Sequence, residues 1–450
     1  MSETTKRCQV EMHDGKSCGR DLYDEEFCIF HSKREDKNIE WFQRGLDGIL
    51  NIGAKEVEYY DLSHFIFPQG VFFPKKFSKS VNFWKSVFKG EVDLENVSFE
   101  GKSFFLYAVF EDDARFDNAT FNDEVNFENA TFEASVSFNR ANFKGVASFD
   151  EVRFKNDANF GNVTFDMGVG FGMTVFNSVV DFSASTFKSS TYFWGAVFKS
   201  DVDFLSASFD DALEINAEAH QKKAFKKQVD FRMVTFSTPE KVVFQKVNLS
   251  KFRFLETDVR KVSFIDVDWN KKSSKGRWRV YDEVSMDPDT KNFDYSLIEE
   301  LYRRLRKNYE DNLKYSEAGD FYIGEMEMWR KAETSFLSKI PLFCYKAISN
   351  YGESYYRPLC WILAILLLFP IFFMIAGIQP VNHEQIIVAA EKIKDYSTSF
   401  WYSTSIFSFI RDKKCTTTNN WGDALFVTES ILSPIMLAFL LLALRRRFKR

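Results

Sequence analysis

The chain has 450 residues, of which 45% are hydrophobic, and a formal net charge of −5 at pH 7. That length suits two or three domains, and the charge excludes the overall basic field that attracts nucleic acid. Phe is very frequent, at 52 residues, whereas six cysteines in so long a chain argue against a disulfide scaffold. The first residues, MSETTKRC, lack the apolar core of a signal peptide, so we expect the N-terminus to stay in the compartment of synthesis.

Residues 1–37 are predicted to form a small zinc-binding knot. The four candidate ligands are Cys8, Cys18, Cys28 and His31. In a reducing compartment, three thiolates and one imidazole suit tetrahedral zinc, whereas the alternative is three unrelated thiols. The spacing is similar to that of small plant and bacterial Cys3His knots. His13 lies between two ligands and is expected to be a loop residue. The segment has seven Lys/Arg and nine Asp/Glu, which favours protein contact over nucleic-acid binding.

Residues 38–80 are predicted to contain a helix over 39–50 that caps a leading coil of the repeat that follows. From 81 to 209, apolar residues, nearly all Phe, return at alternating steps of five and six. The segment FDNATFNDEVNFENATFEASVSFNRANF (116–143) shows the pattern. A small or β-branched residue stands two positions before nearly every Phe, with a polar residue between them, which is typical of a short strand.

An eleven-residue period also fits a hendecad coiled coil. On a helix, however, steps of five and six would place the Phe residues on two stripes about 140° apart. The segment is also rich in Val, Thr, Ser and Asn, which are mediocre helix formers. We therefore predict a four-sided β-solenoid with inward columns of Phe, in which 24 repeat positions make about six coils, roughly 29 Å long.

This repeat resembles the pentapeptide-repeat family, which implies a right-handed quadrilateral β-helix over 81–269. A second run in steps of five, from Phe244 to Trp269, is predicted to form the closing coils. Between the two runs, the charged, Ala-rich segment 210–228 is predicted to be a helical insertion. The three N-x-T motifs that start at Asn118, Asn129 and Asn162 are explained by the repeat rather than by glycosylation.

Residues 270–294 are predicted to be a linker, and residues 295–356 a helical hairpin, resembling a tetratricopeptide unit, followed by a membrane-proximal elbow. Residues 357–450 are predicted to form a two-helix membrane module, with spans at 359–378 and 424–444. Arg residues next to both spans place the two ends of the module in the cytoplasm by the positive-inside rule. We therefore expect a multi-pass protein of the inner membrane with its N-terminal domains and C-terminus in the cytoplasm.

The module resembles the pore domain of two-helix cation channels, because the aromatic, hydroxyl-rich stretch 396–410 lies between the spans. The segment TNNWGD (418–423) departs from a potassium filter, since Asn420 stands where the first glycine belongs. A degenerate, channel-derived anchor is therefore favoured over a conducting tetramer. Glu429 lies within the second span and is either a functional group or a hydrogen-bond partner of a neighbouring helix.

The sequence contains no G-x-S-x-G, H-E-x-x-H or P-loop motif, and GVGFG (168–172) follows the repeat, so we expect no enzyme activity. The favoured function is a membrane-anchored scaffold that binds an unidentified partner protein. One alternative is a channel-like protein with the β-helix as its cytoplasmic sensor. Another is a DNA-mimicking gyrase-binding protein, because residues 81–211 hold 21 Asp/Glu against 10 Lys/Arg.

Overall fold

The structure is a computed structural model that describes residues 6–56, 58–217, 224–271, 276–286, 294–381, 393–409 and 415–448. It divides into two compact units, and each is described by itself. The first unit comprises Met1–Phe293 with Glu300–Asn308, and the second comprises Asp294–Glu299 with Tyr309–Arg450.

The first unit is dominated by a β-solenoid of very short strands. In chain order, these are β1 Tyr59–Asp61, β2 Ile66–Phe67, β3 Lys76–Phe77, β4 Ser80–Asn82, β5 Val87–Phe88, β6 Val92–Asp93, β7 Ser98–Phe99, β8 Ser103–Phe104, β9 Val109–Phe110, β10 Ala114–Arg115, β11 Thr120–Phe121, β12 Val125–Asn126, β13 Thr131–Phe132, β14 Val136–Ser137, β15 Asn142–Phe143, β16 Ala147–Ser148, β17 Arg153–Phe154, β18 Ala158–Asn159, β19 Thr164–Phe165, β20 Val169–Gly170, β21 Val175–Phe176, β22 Val180–Asp181, β23 Thr186–Phe187, β24 Thr191–Trp194, β25 Val197–Phe198, β26 Val202–Asp203, β27 Ser208–Phe209, β28 Leu213–Asn216, β29 Val229–Asp230, β30 Thr235–Phe236, β31 Val242–Gln245, β32 Phe252–Arg253 and β33 Ser263–Ile265.

These strands form four parallel sheets, one for each side of the solenoid. The sheets have ten, eight, eight and seven strands, and the ten-stranded sheet runs β1-β4-β8-β12-β16-β20-β24-β28-β31-β33. In the regular part, each strand pairs with the equivalent strand of the next coil, as Val125 pairs with Ala147. The fold is therefore a quadrilateral β-solenoid of about nine turns, and the solenoid predicted from the Phe period is confirmed.

The core of the solenoid is a set of stacked Phe columns. Phe105, Phe127 and Phe149 lie in one column with ring centroids 4.6 and 5.1 Å apart and planes within 7° of parallel. All three side chains are fully buried. Because the backbones of successive coils are hydrogen-bonded in register, the same residue type returns to the same place in each layer.

The alternating steps of five and six residues between core positions arise from two kinds of corner. At each five-residue corner, a turn closes with a hydrogen bond such as that from the Ala119 N–H to the Phe116 carbonyl. The residue two positions after the apolar residue has a positive φ there, which suits Asn and Gly. These residues recur once in every repeat period and are Lys85, Asn96, Tyr107, Asn118, Asn129, Arg140, Glu151, Asn162, Met173, Ala184, Gly195 and Ser206. The three N-x-T motifs thus start at turn residues.

The helix predicted over 210–228 is wrong for the described part of that segment. Leu213–Asn216 form strand β28, and Ile215 pairs with Phe193 of the preceding coil and takes a place in the Phe column. Residues 218–223 lie outside the described residues. After them, Val202 pairs with Val229, which is farther along the chain than the regular spacing between Val180 and Val202. This coil is therefore longer than the regular ones, yet the register of its strands is kept.

The first coil begins with β1 in the 38–80 region and is covered by the N-terminal helix. The helices of the chain are α1 Ile39–Glu56, α2 Tyr281–Val284, α3 Tyr295–Asp311, α4 Tyr315–Ala332, α5 Phe336–Ser349, α6 Tyr356–Ala376, α7 Tyr396–Phe407 and α8 Asn420–Phe448, with a short 3-10 helix at Pro239–Lys241. On α1, Phe42 and Leu46 are fully buried, and the Phe42 ring packs edge-on against Phe67 of β2. This contact covers apolar surface that the first coil would otherwise expose.

The last coils are also covered, by residues of the predicted 270–294 linker. In its described part, β34 Asn270–Lys271 pairs with β35 Trp278–Arg279, and α2 follows directly. Asp282 of α2 accepts a hydrogen bond from the Phe254 N–H, and Asn308 donates to the Val259 and Val262 carbonyls. These side chains satisfy backbone groups that the end of a solenoid leaves without a partner strand. The segment is therefore a cap in its described part, not a simple linker.

The second unit is helical. Tyr309 of α3 packs against Phe321 of α4, and α5, which the sequence analysis did not predict, lies between α4 and α6 in the chain. Among the described residues, two helices are long and apolar enough to cross a membrane, Tyr356–Ala376 and Asn420–Arg446. A short antiparallel pair, β36 Ile378–Pro380 with β37 Cys415–Thr417, joins their ends on one side.

Phe138 provides a test of the stacked core, because its fully buried ring lies 4.8 Å from Phe116 and 5.0 Å from Phe160. We expect Phe138→Ala to lower the free energy of unfolding by about 3–5 kcal/mol, since it leaves a cavity inside the column. The measurement is a urea titration followed by circular dichroism. The control, Val146→Ala at an exposed position, should change the value by less than about 0.5 kcal/mol. Equal effects of the two variants would contradict the stacked core.

Asp282 provides a pH test of the C-terminal cap. Burial raises the pKa of its carboxyl to about 6. The folded chain therefore binds more protons than the unfolded chain between about pH 4 and pH 6, and the free energy of unfolding falls as the pH rises through that range, by up to about 3 kcal/mol. We expect Asp282→Asn to remove this decrease, since an amide oxygen still accepts from Phe254. Asp112→Asn, at an exposed corner, should keep it, and an unchanged slope in Asp282→Asn would refute the assignment.

Candidate metal centre

A small hairpin presents the first two cysteines. Residues 7–11 and 17–21 run antiparallel, with bridges between Arg7 and Asp21 and between Glu11 and Ser17. The Cys8 N–H donates to the Arg20 carbonyl. Gly15, in the tight connection, has a φ of 74°, a conformation that favours glycine. The hairpin thus brings the Cys8 and Cys18 thiols, ten residues apart in sequence, within 4.8 Å of each other.

The other two candidate ligands come from a single turn. The N–H groups of His31 and Ser32 both donate to the Cys28 carbonyl, at 3.0 and 2.9 Å. This turn places the imidazole of His31 beside the Cys28 thiol, with Nδ1 3.3 Å from Sγ. A Cys-x-x-His pair in this conformation can hold one ion from two sides.

The four ligand atoms converge. They all lie within 4.8 Å of one another, with 3.7 Å between Cys18 Sγ and Cys28 Sγ and 3.3 Å between Cys8 Sγ and His31 Nδ1. In a tetrahedral zinc site, bonds of about 2.3 Å to sulfur and about 2.0 Å to nitrogen place ligand atoms roughly 3.5–3.8 Å apart. The cluster therefore fits zinc, and the chemistry of three thiolates and one imidazole favours it.

Neighbouring groups orient the ligands. The Nε2 atom of His31 lies 3.4 Å from the Ser63 carbonyl, and a proton on Nε2 leaves Nδ1 free to bind a metal. Arg20 donates to Cys18 Sγ at 3.2 Å. A hydrogen bond with Cys28 lowers the pKa of the Cys18 thiol to about 3, with a smaller contribution from the charge of Arg20. Sequence reasoning missed both neighbours, because Ser63 acts through its backbone and no motif marks Arg20.

The cluster is attached to the first coil of the solenoid. The Phe30 ring stacks on Phe65 at 4.5 Å, and the Ile66 N–H donates to the Phe30 carbonyl at 2.7 Å. The Nζ of Lys37 donates to the Ile66 carbonyl at 2.6 Å. His13 is exposed and outside the ligand group; its ring lies edge-on to Trp84. A metal bound here would hold the N-terminal segment against the coil, and four protein ligands would leave no open position for substrate.

GVGFG (168–172) is a packing feature of the solenoid. The Gly172 N–H donates to Asp150 Oδ1 at 2.6 Å, and a Cβ on Gly170 would lie 2.9 Å from the same oxygen. The glycines make room for the Asp150 side chain of the preceding coil.

The segment compared with a channel filter is largely helical. Residues 420–423 form the first turn of α8, and Thr418 and Asn419 donate to the Ala376 carbonyl. Carbonyl groups within a helical turn do not line a filter, so the structure gives no support to a potassium filter in this segment. Glu429 is fully buried and accepts a hydrogen bond from Ser403 of α7.

Comparisons with known proteins support the repeat. Residues 83–131 and 127–172 match the family described as pentapeptide repeats (9 copies). The uncharacterized protein MJ1147 of Methanocaldococcus jannaschii is 30% identical over 222 residues, which are 45% of this chain and 46% of that protein. The chain thus covers about half the length of this relative. No solved structure matches the chain. The solenoid therefore carries pentapeptide repeats, and none of these comparisons supports the resemblance to a channel pore.

The metal centre can be tested by removing one ligand. We expect the purified chain to contain about one zinc ion and Cys28→Ser to lose it, because the turn then supplies only His31. Metal content is measured by inductively coupled plasma mass spectrometry. Cys360→Ser, at an exposed cysteine outside the cluster, is the matched control and should keep the ion. Wild-type protein without zinc after purification in zinc-containing medium would contradict the assignment.

Proposed function

We propose that the protein is a non-enzymatic scaffold of the inner membrane whose cytoplasmic β-helix binds a partner protein. In this proposal, α6 and α8 both cross the bilayer, and the N-terminal domains and the C-terminus lie in the cytoplasm. The Cys3His site holds a structural zinc ion that fixes the N-terminal segment on the first coil.

The helices α6 and α8 support the membrane part of the proposal. The most apolar 18-residue segments of the two helices have mean hydropathies of 2.8 and 2.1, and the apolar stretches of 21 and 27 residues are long enough for a bilayer core of about 30 Å. Large apolar side chains on both helices are exposed within the second unit, such as Leu367 and Leu441. A lipid environment would cover them, whereas water would not favour so much exposed apolar surface.

The partner-binding part rests on one observation: two aromatic side chains face outward from the rigid ten-stranded sheet. Tyr192 and Trp194 of β24 are 44% and 46% exposed. Tyr192 pairs in register with Gly170 of β20, and the Asp150 side chain occupies the space beside that glycine. Exposed aromatic residues are typical of protein-binding sites, because they bury a large area at low entropic cost.

The aromatic pair supplies the test. A photo-crosslinking amino acid at Glu214, which pairs with Tyr192 on the next strand, should yield a discrete adduct with one protein in membranes. Tyr192→Ala with Trp194→Ala should reduce that adduct at least tenfold, since the binding surface loses its anchors. Arg153→Ala, exposed on a different sheet, is the control and should leave the adduct unchanged.

Membrane attachment is measured on the same samples. The full-length chain should remain in the membrane pellet after alkaline carbonate extraction, because two spanning helices are not released by high pH. Recovery in the soluble fraction would refute the membrane part of the proposal. An adduct that persists in the double variant would refute the binding surface.

A further inference from the structure

A carboxyl group is buried where α7 and α8 meet. Glu429 of α8 has no solvent exposure, and its Oε1 accepts a hydrogen bond of 2.5 Å from the hydroxyl of Ser403 on α7. Its second oxygen, Oε2, is also buried and has no hydrogen-bond partner among the described residues. An isolated ionised carboxylate is very unfavourable in such surroundings, so the group requires a compensating charge or ligand.

Further oxygens without partners lie one helical turn away. Ser399 stands four residues before Ser403 on α7, and Ser433 stands four residues after Glu429 on α8. Both serines are fully buried, and neither hydroxyl has a hydrogen-bond partner within the described part of the chain. Residues four apart on a helix have Cβ atoms about 6 Å from each other, on the same face. Ser399 therefore lies on the same face of α7 as Ser403, and Ser433 on the same face of α8 as Glu429, each one turn away.

The charged groups on the packed elements are already engaged elsewhere. Asp395 caps the start of α7, and Asp423 accepts a hydrogen bond from Thr417. At the other end of α8, Arg446 donates to the Tyr351 carbonyl and pairs with Glu353. The described residues therefore provide no cationic side chain that pairs with Glu429, and its charge has to be balanced by a bound ion or a proton.

The number of free oxygens distinguishes these two possibilities. A proton on Glu429 would form one hydrogen bond to one hydroxyl, and the remaining hydroxyl oxygens would stay without a partner. One small cation can contact the carboxylate and several hydroxyls together. A single positive charge leaves the buried site neutral, whereas a divalent ion would leave an excess charge in an apolar interior. We propose that Glu429 and the serines of α7 and α8 bind one dehydrated Na⁺ ion.

The experiment uses the full-length protein in lipid nanodiscs and does not depend on the scaffold function. Thermal unfolding is followed while NaCl replaces N-methylglucamine chloride at constant ionic strength. We expect a saturable rise in Tm in the wild type and at least a tenfold weaker Na⁺ dependence in Ser399→Ala with Ser433→Ala. Glu429→Gln should abolish the response, and the binding of one ²²Na⁺ per chain should be lost with it.

The control is Thr428→Val, one residue before Glu429, where the hydroxyl is exposed and donates only to the Ala424 carbonyl. This variant should keep the wild-type Na⁺ response. The proposal would be overturned by the same Na⁺-dependent shift in Glu429→Gln. It would also be overturned by a wild-type response to pH without a response to Na⁺, which would identify a protonated carboxyl.

Discussion

Every part of the solenoid depends on one contact, the stacking of a Phe ring on the equivalent ring of the next coil. The stacking is possible because parallel hydrogen bonds keep successive coils in register. Register, in turn, requires the coils to have the same length in the regular part. The turn residues at the five-residue corners maintain that length, and the longer connection between β28 and β29 is accommodated because it lies between strands rather than within one. Ion pairs between coils, such as Lys89 with Glu111, also depend on this spacing.

The first and last coils of the solenoid lack a neighbouring coil on one side, and each is covered by a different kind of cap. At the N-terminal end, α1 and the Cys3His segment cover the first coil with Phe42 and Phe30. At the C-terminal end, the backbone donors and acceptors of the last coils are bonded by polar side chains, Asp282 and Asn308. The N-terminal cap buries apolar surface, and the C-terminal cap satisfies backbone hydrogen bonds. A terminal coil without a cap would leave both its apolar surface and its backbone groups exposed. The Cys3His segment thus contributes to the solenoid even though it lies outside the repeat.

The helical unit follows a different principle. The exposed faces of α6 and α8 carry large apolar side chains, whereas Ser399, Ser403, Glu429 and Ser433 of α7 and α8 are buried. Few hydrogen-bond donors are available in such an interior, so a buried oxygen without a partner marks a candidate position for a bound group. The proposed partner-binding surface lies in the first unit and the buried oxygens lie in the second, so the two proposals are tested by separate variants.

The sequence by itself determined the solenoid, the Cys3His group and the two apolar helices, because each follows from a local pattern: the eleven-residue period, the Cys-x-x-His turn and the long uncharged runs. Only the tertiary structure decided that Leu213–Asn216 continue the sheet, since composition favoured a helix and the register of neighbouring coils favoured a strand. It also decided the partners of His31 and Glu429. Ser63 lies 32 residues from His31, and Ser403 lies 26 residues from Glu429, so no local pattern could join them.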